Sequence, residues 1–165
     1  MKNNFKEDIV CTIRIATVDD IKSISFILSN AFAEYKAFYT KEAYLVATPS
    51  IEQILSRWSE GPVWVGLVND RIMGTIAGVP NKMSLYIRSL SILPEARGCG
   101  LGILLLNELE KYSRMHGYKR LYLSTTDFLK PAIRLYEQCG FIQLNGEEPQ
   151  ELQGMPLFTM EKLLL

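Results

Sequence analysis

Apolar positions along the chain recur with two different periods, and the switches between them lay out the elements. Ile13 and Ile15 alternate with polar neighbours and mark a short first strand. Thr17-Val18-Asp19-Asp20 has the form of a capping box, and Ile21, Ile24, Leu28, Ala31 and Phe32 follow at helical spacing, predicting a helix with one apolar face turned to a sheet. The polar and aromatic stretch Glu34 to Tyr44 carries no period. Ser50, with Gln53 three residues on, caps a second helix whose apolar side holds Ile51, Ile54, Leu55 and Trp58 and which Gly61-Pro62 ends.

Two β-rich runs, Val63 to Val68 and Arg71 to Val79, are joined by Asn69-Asp70, a pair that tolerates the positive φ of a tight hairpin. Met83 to Leu93 predicts a fourth strand with a change of phase: Leu85 and Ile87 are odd, Leu90 and Ile92 even. A one-residue bulge near Arg88-Ser89 restores the phase. Pro94 to Gly102 is a glycine-rich turn, after which Leu101, Leu104, Leu105, Leu109 and Tyr112 form a helical stripe ending at His116-Gly117. Leu121 and Leu123 mark a fifth strand. A short helix carries Ala132, Ile133, Leu135 and Tyr136, with Pro131 in its first turn, and Cys139-Gly140 closes it. Phe141 to Leu144 and Leu157 to Leu163 are two last strands around a polar loop containing Glu147, Glu148, Pro149 and Gln150. The order β-α-α-β-β-β-α-β-α-β-β is that of an α/β (α+β) mixed sheet covered by helices.

The 165 residues, 48% of them hydrophobic, suit one compact domain over residues 1–165. Lys and Arg number 18, as do Asp and Glu, so no net field draws the chain to nucleic acid or to an anionic membrane, and a charged ligand has to be held locally. Cys11, Cys99 and Cys139 lack the paired spacing of a zinc or redox motif, so no metal is expected. The N-terminus is polar and no stretch approaches the roughly 20 apolar residues of a membrane span. A soluble, cytoplasmic protein, monomer or homodimer, is the expectation.

Candidate chemistry centres on Arg97-Gly98-Cys99-Gly100-Leu101-Gly102, between a strand and an amphipathic helix. Free amides at a helix N-terminus, with the positive end of its dipole, suit a pyrophosphate, and glycines let the main chain come close to it. No Gly-Lys-Ser/Thr follows, as a P-loop requires, and Ile103 takes the third glycine position of a dinucleotide fingerprint begun at Gly98. Taken alone, the run serves equally as an anion cradle or as a tight connection.

The arrangement resembles the GNAT (Gcn5-related N-acetyltransferase) superfamily across nearly the whole chain. Residues 97–102 match its Arg/Gln-x-x-Gly-x-Gly/Ala signature, Leu90-Ser91-Ile92-Leu93-Pro94 is similar to the strand leading into it, and Ala132 to Phe141 resembles Ala-x-x-Leu-Tyr-Glu-x-x-Gly-Phe. The resemblance implies a mostly antiparallel sheet of about seven strands flanked by about four helices, with a splayed, bulged central strand. It also implies transfer of acetyl from acetyl-coenzyme A to an amine. In that reading the amides of Arg97, Gly98, Cys99, Gly100, Leu101 and Gly102 hold the pyrophosphate, and the backbone of Leu90, Ile92 and Leu93 pairs with the pantetheine arm. The Ile92 N–H faces the oxyanion, and Tyr136 is the acid toward the departing thiolate. Glu34, Tyr35, Phe38 and Tyr39 lie where the acceptor binds.

Two positions depart from the family pattern. Leu129 stands where many members place an asparagine, and residues 83–92 hold no Asp or Glu, so the usual glutamate base is missing. Glu34 or Glu42 could replace that base only through ordered water and both read better as solvated carboxylates, so no base is named; Arg88 could attract an acidic group of the substrate but reads better as solvent-facing or ion-paired. Cys99 reads as a turn residue, His116 as a helix cap, and Trp58 and Trp64 as core. The missing carboxylate keeps open a coenzyme A-binding module without turnover. An ordinary mononucleotide-binding domain is a third reading, disfavoured by the absent P-loop lysine.

Overall fold

The computed structural model describes residues 8–145 and 150–165; the loop residues Glu147, Glu148 and Pro149 lie outside the described residues. The described residues form eight strands and five α-helices: β1 Cys11–Ile15, α1 Ile21–Phe32, α2 Lys41–Ala47, α3 Ile51–Ser56, β2 Val63–Val68, β3 Arg71–Asn81, β4 Ser84–Ile92, α4 Leu101–Met115, β5 Arg120–Thr125, α5 Lys130–Gln138, β6 Ile142–Gln143, β7 Gln150–Leu152 and β8 Met155–Leu163. The sheet runs β1-β2-β3-β4-β5-β8-β6, with β7 paired to β8, and only β4 and β5 are parallel.

The sheet separates two layers. Trp64 and Gly66 face α4: the Trp64 ring meets Tyr112, and a Cβ on Gly66 would press on Leu101. Val65, pointing the other way, packs with Ile21, Ile24, Leu28 and Ile54 of α1 and α3. Arg14 and Asp20 tie α1 to β1 through two hydrogen bonds of 2.7 and 3.0 Å, and Asp20 Oδ2 also accepts the Thr17 N–H at 2.9 Å, the expected cap. The Asn69-Asp70 hairpin forms with φ of 46° and 65°.

Three expectations change. The aperiodic stretch contains a helix, α2, capped by Thr40 Oγ1, which accepts the Ala43 N–H at 3.2 Å; at seven residues it is too short to show a period. The Ser50-capped α3 stops at Ser56, leaving Ile51 and Leu55 exposed. The last strand gains a partner, β7, across a turn in which Gln153 and Gly154 have φ of 48° and 79°.

The phase change falls where the sequence put it. Register between β3 and β4 passes from Thr75↔Ser91 to Ala77↔Arg88, so β4 carries an extra residue, and Ser89 has φ 59°. Leu85 and Ile92, of opposite parity, consequently lie on one face, over Gly78 and Gly74 of β3. β4 pairs with β5 only from Ser84–Tyr86 to Arg120–Tyr122, and beyond Tyr86 the parallel strands part.

Candidate active site

The parting of β4 from β5 opens a cavity of about 720 Å³, within the range that holds a small-molecule ligand. Its walls come from β4, the tip of β5, the glycine turn, α5 and the α1–α3 layer.

Along β4 the direction of each amide follows from one bond. Leu93 N–H donates to the Met73 carbonyl at 2.8 Å, and successive amides of an antiparallel strand point to opposite sides. The Ile92 N–H therefore points into the gap left by β5, and Leu90 and Ile92 both line the cavity. Leu93 departs from expectation: its amide is taken by Met73, its carbonyl accepts the Ala96 N–H at 2.9 Å, and its buried side chain does not reach the cavity.

The glycine turn presents unpartnered donors. Gly100, at φ 86°, is the N-cap of α4 and brings no capping side chain. The amides of residues 98–102 make no hydrogen bond with a described residue, the condition that favours an anion at a helix start. Arg97 corrects the expected set at one position, because its amide donates to the Pro94 carbonyl at 3.3 Å. Its guanidinium is held by Glu34 and by the Ala31 carbonyl at 3.2 Å. Cys99 is a turn residue: its thiol donates to the Ala96 carbonyl at 2.9 Å, its sulfur lies 3.8 Å from that of Cys11, and it stays off the cavity wall. Gly102 serves packing, since a Cβ there would meet Leu135 of α5 at 2.8 Å.

Tyr136 projects from α5 into the cavity wall and is 7% exposed. Burial, with a smaller effect of Tyr86, raises its phenol above the ordinary value, and the hydroxyl bonds to no described residue. Ser91 Oγ and Thr126 Oγ1, also on this wall, are buried without partners. A polar ligand or ordered water in the cavity would satisfy them.

Among the expected acceptor residues, Tyr35 and Tyr39 line the cavity, and burial, then Tyr35 and Tyr44, push the Tyr39 phenol up to about 12. Phe38 instead stacks on Phe128 with ring centroids 5.5 Å apart, and Glu34 turns away to Arg97. Glu42 is exposed and off the wall. His116 caps α4, its Nδ1 2.8 Å from the Tyr112 carbonyl. Arg88 is ion-paired, 2.6 Å from Glu60. Arg57, which no sequence motif marks, lines the cavity as well. It follows the last residue of α3, and only the tertiary fold brings it beside β4. No Asp or Glu among the described residues lines the cavity, and none of the described His, Cys, Asp or Glu side chains gather as a metal site. No described helix is long and apolar enough to cross a membrane.

Residues 25–141 match the acetyltransferase (GNAT) family. The uncharacterized N-acetyltransferase YjgM of Escherichia coli (strain K12) is 32% identical over 134 residues, 78% of this chain and 80% of that protein. The N-acetylaspartate synthetase of Rattus norvegicus is 25% identical over 68% of this chain, which spans only 38% of that protein. In structure, the PaiA N-acetyltransferase of Thermoplasma acidophilum, in complex with coenzyme A, superposes with a TM-score of 0.76 at 19% identity, covering 94% of this chain and 99% of that one.

Proposed function

This chain belongs to the acetyltransferase (GNAT) family, and on that premise we propose that it transfers the acetyl group of acetyl-coenzyme A to a primary amine by direct attack. The supporting observation is the sharing of one cavity by Gly98, Gly100, Leu101 and Gly102, whose amides bond to no described residue, the gap-facing Ile92 N–H and Tyr136. The amides and the start of the α4 dipole receive the diphosphate. Residues Leu90 and Ile92 offer main-chain groups to the pantetheine arm as an added strand would.

An alkyl ammonium, pKa about 10, must lose a proton before its nitrogen can attack. The nitrogen then forms a bond to the acetyl carbon, whose oxygen takes negative charge beside the Ile92 N–H; collapse breaks the carbon–sulfur bond. One oriented backbone donor of this kind is worth about 3–4 kcal/mol of barrier. Tyr136 donates a hydrogen bond to the departing sulfur. Its raised pKa makes it a poor acid, so stabilising the thiolate by that bond is its main contribution, with water carrying the final proton. The amine's proton leaves by water, for which the Ser91 and Thr126 hydroxyls offer contacts.

The absence of a carboxylate from the described wall favours a second reading, a coenzyme A-binding module without turnover. Calorimetry with acetyl-coenzyme A, followed by thiol release across an amine panel, separates the two. Uptake with amine-dependent release supports the enzyme, and uptake without release supports the module. No uptake by folded protein overturns both.

A further inference from the structure

The charged residues on the cavity wall are Arg57, Arg88, Arg97 and Arg134, with no carboxylate among the described residues to match them. Arg97 belongs to the glycine turn and is held by Glu34. Arg57 and Arg88 form a separate group. Arg88 lies four residues before Ile92 on β4, roughly 10–13 Å up the strand and away from the glycine turn. Arg57 stands beside it, since the two line both the main cavity and the small recess under the Ser89 bulge.

Glu60 is the only carboxylate given to this pair among the described residues. It binds Arg88 at 2.6 Å, while the Arg57 guanidinium makes neither a hydrogen bond nor an ion pair with a described residue. A cation after the last turn of a helix is commonplace, because the helix dipole favours it. Here, though, the guanidinium is half-buried against a second one, and both burial and the Arg88 charge work against it, with only Glu60 in opposition. The half-buried Arg57 guanidinium therefore offers donors on the cavity wall that no described residue takes. Arg57 and Arg88 against Glu60 leave one positive charge, the complement of one carboxylate; a phosphate would overfill it.

Building on the acetyltransferase reading, we infer that the acceptor is an amino acid, whose carboxylate Arg57 binds while its amine points down β4 toward the Ile92 amide. The planar fork of an arginine matches a carboxylate through two parallel hydrogen bonds. Arg88, fixed by Glu60, adds field on the same side. Tyr86 and Tyr39 supply an amphipathic wall between the two ends.

The test uses the full-length protein saturated with coenzyme A, titrated in a calorimeter with the free amino acids and, in parallel, with their α-carboxamides. At least one free amino acid should bind, about 10- to 100-fold more tightly than its carboxamide, the span of a charge-assisted hydrogen-bonded pair. The same preference should appear in kcat/KM for acetylation. It cannot arise from amine basicity, because the carboxamide is the less basic amine and has more free base at neutral pH. Arg57→Gln should erase the preference with coenzyme A affinity retained, and Arg57→Lys should restore part of it. Binding of no free amino acid, equal binding of acid and amide, or a preference that survives Arg57→Gln would overturn the inference. Failure of coenzyme A itself to bind would instead overturn the acetyltransferase reading beneath it.

Discussion

The hydrogen bond from the Leu93 amide to the Met73 carbonyl, 2.8 Å long, sets which amides of β4 are free. Because it fixes Leu93 toward β3, Ile92 is left facing the gap where β5 departs. Proline at position 92 therefore removes an N–H that belongs to no ladder bond, a placement strands tolerate. We expect Ile92→Pro to lower kcat by about 10²- to 10³-fold, the usual effect of deleting one oxyanion donor, while coenzyme A affinity falls much less. Thermal unfolding is the control, since Ile92 also fills the space over Gly74. A stable variant with unaltered kcat would remove Ile92 from the mechanism.

Tyr136→Phe isolates the hydroxyl, because the ring keeps its packing against Phe141 at a centroid distance of 5.7 Å. The hydroxyl has no described protein partner to orphan, so stability should change little. Expected is a fall in kcat of about 10- to 100-fold, the effect of losing a hydrogen bond to a charged group, with KM for acetyl-coenzyme A nearly constant. The sign of the pH dependence follows from burial. A phenol held above its ordinary value near 10 keeps its proton through the accessible range, so Tyr136 should produce no descending limb below about pH 10. A basic limb near neutrality that disappears in Tyr136→Phe would contradict this.

Local patterns made most of this fold legible. The bulge at Ser89 was readable because a one-residue insertion inverts every later side chain, leaving Leu85 and Ile92 at opposite parity in the sequence and on one face in the structure. The Asn69-Asp70 hairpin and the Ser50 cap were equally local. By contrast, α2 and β7 have seven and three residues, too few for a period to declare itself. The site divides in the same way. Its glycine turn carries a sequence signature, whereas Arg57 enters through packing between distant segments. Glu34 left the acceptor region because a long-range ion pair with Arg97 holds it, an interaction no spacing encodes.

The glycines of the turn differ in what they allow. Gly98 and Gly100 have φ of 82° and 86° with no atom within 4 Å of a Cβ, so alanine there meets no clash but adopts a left-handed backbone at a cost of about 1–2 kcal/mol. Gly102 has an ordinary φ, and its Cβ would displace only the far end of the Leu135 side chain. Gly100→Ala should thus weaken acetyl-coenzyme A binding and lower stability by about 1–2 kcal/mol, measurable by calorimetry and urea unfolding. Gly102→Ala should fold with a smaller loss. If Gly102→Ala proves the more damaging to stability, the role given to backbone conformation at Gly100 is wrong.

Asp20 provides a pH-dependent term in stability, remote from the cavity. The Arg14 guanidinium, chiefly, holds its carboxyl below the usual carboxylate range; burial opposes this, and the Thr17 N–H adds to the lowering. Its unfolded-state value is about 3.9. A group whose folded pKa lies below its unfolded pKa stabilises the protein fully above the unfolded value, and that stabilisation is lost as pH falls through the folded value. The contribution is therefore present at pH 7 and fades below about pH 4. Arg14 is half exposed, so the pair, with the cap, is worth about 1–2 kcal/mol after solvent screening. Asp20→Asn keeps an acceptor for Thr17 and removes the charge. Urea unfolding should show the variant less stable by the ion pair's share, about 1 kcal/mol, at pH 7 and closer to wild type at pH 3. Other carboxylates, including the Glu110 group held by Lys162 and Arg114, titrate in both proteins and cancel in the difference. A gap of equal size at both pH values would mean that the ion pair contributes nothing and that shape alone matters at this turn.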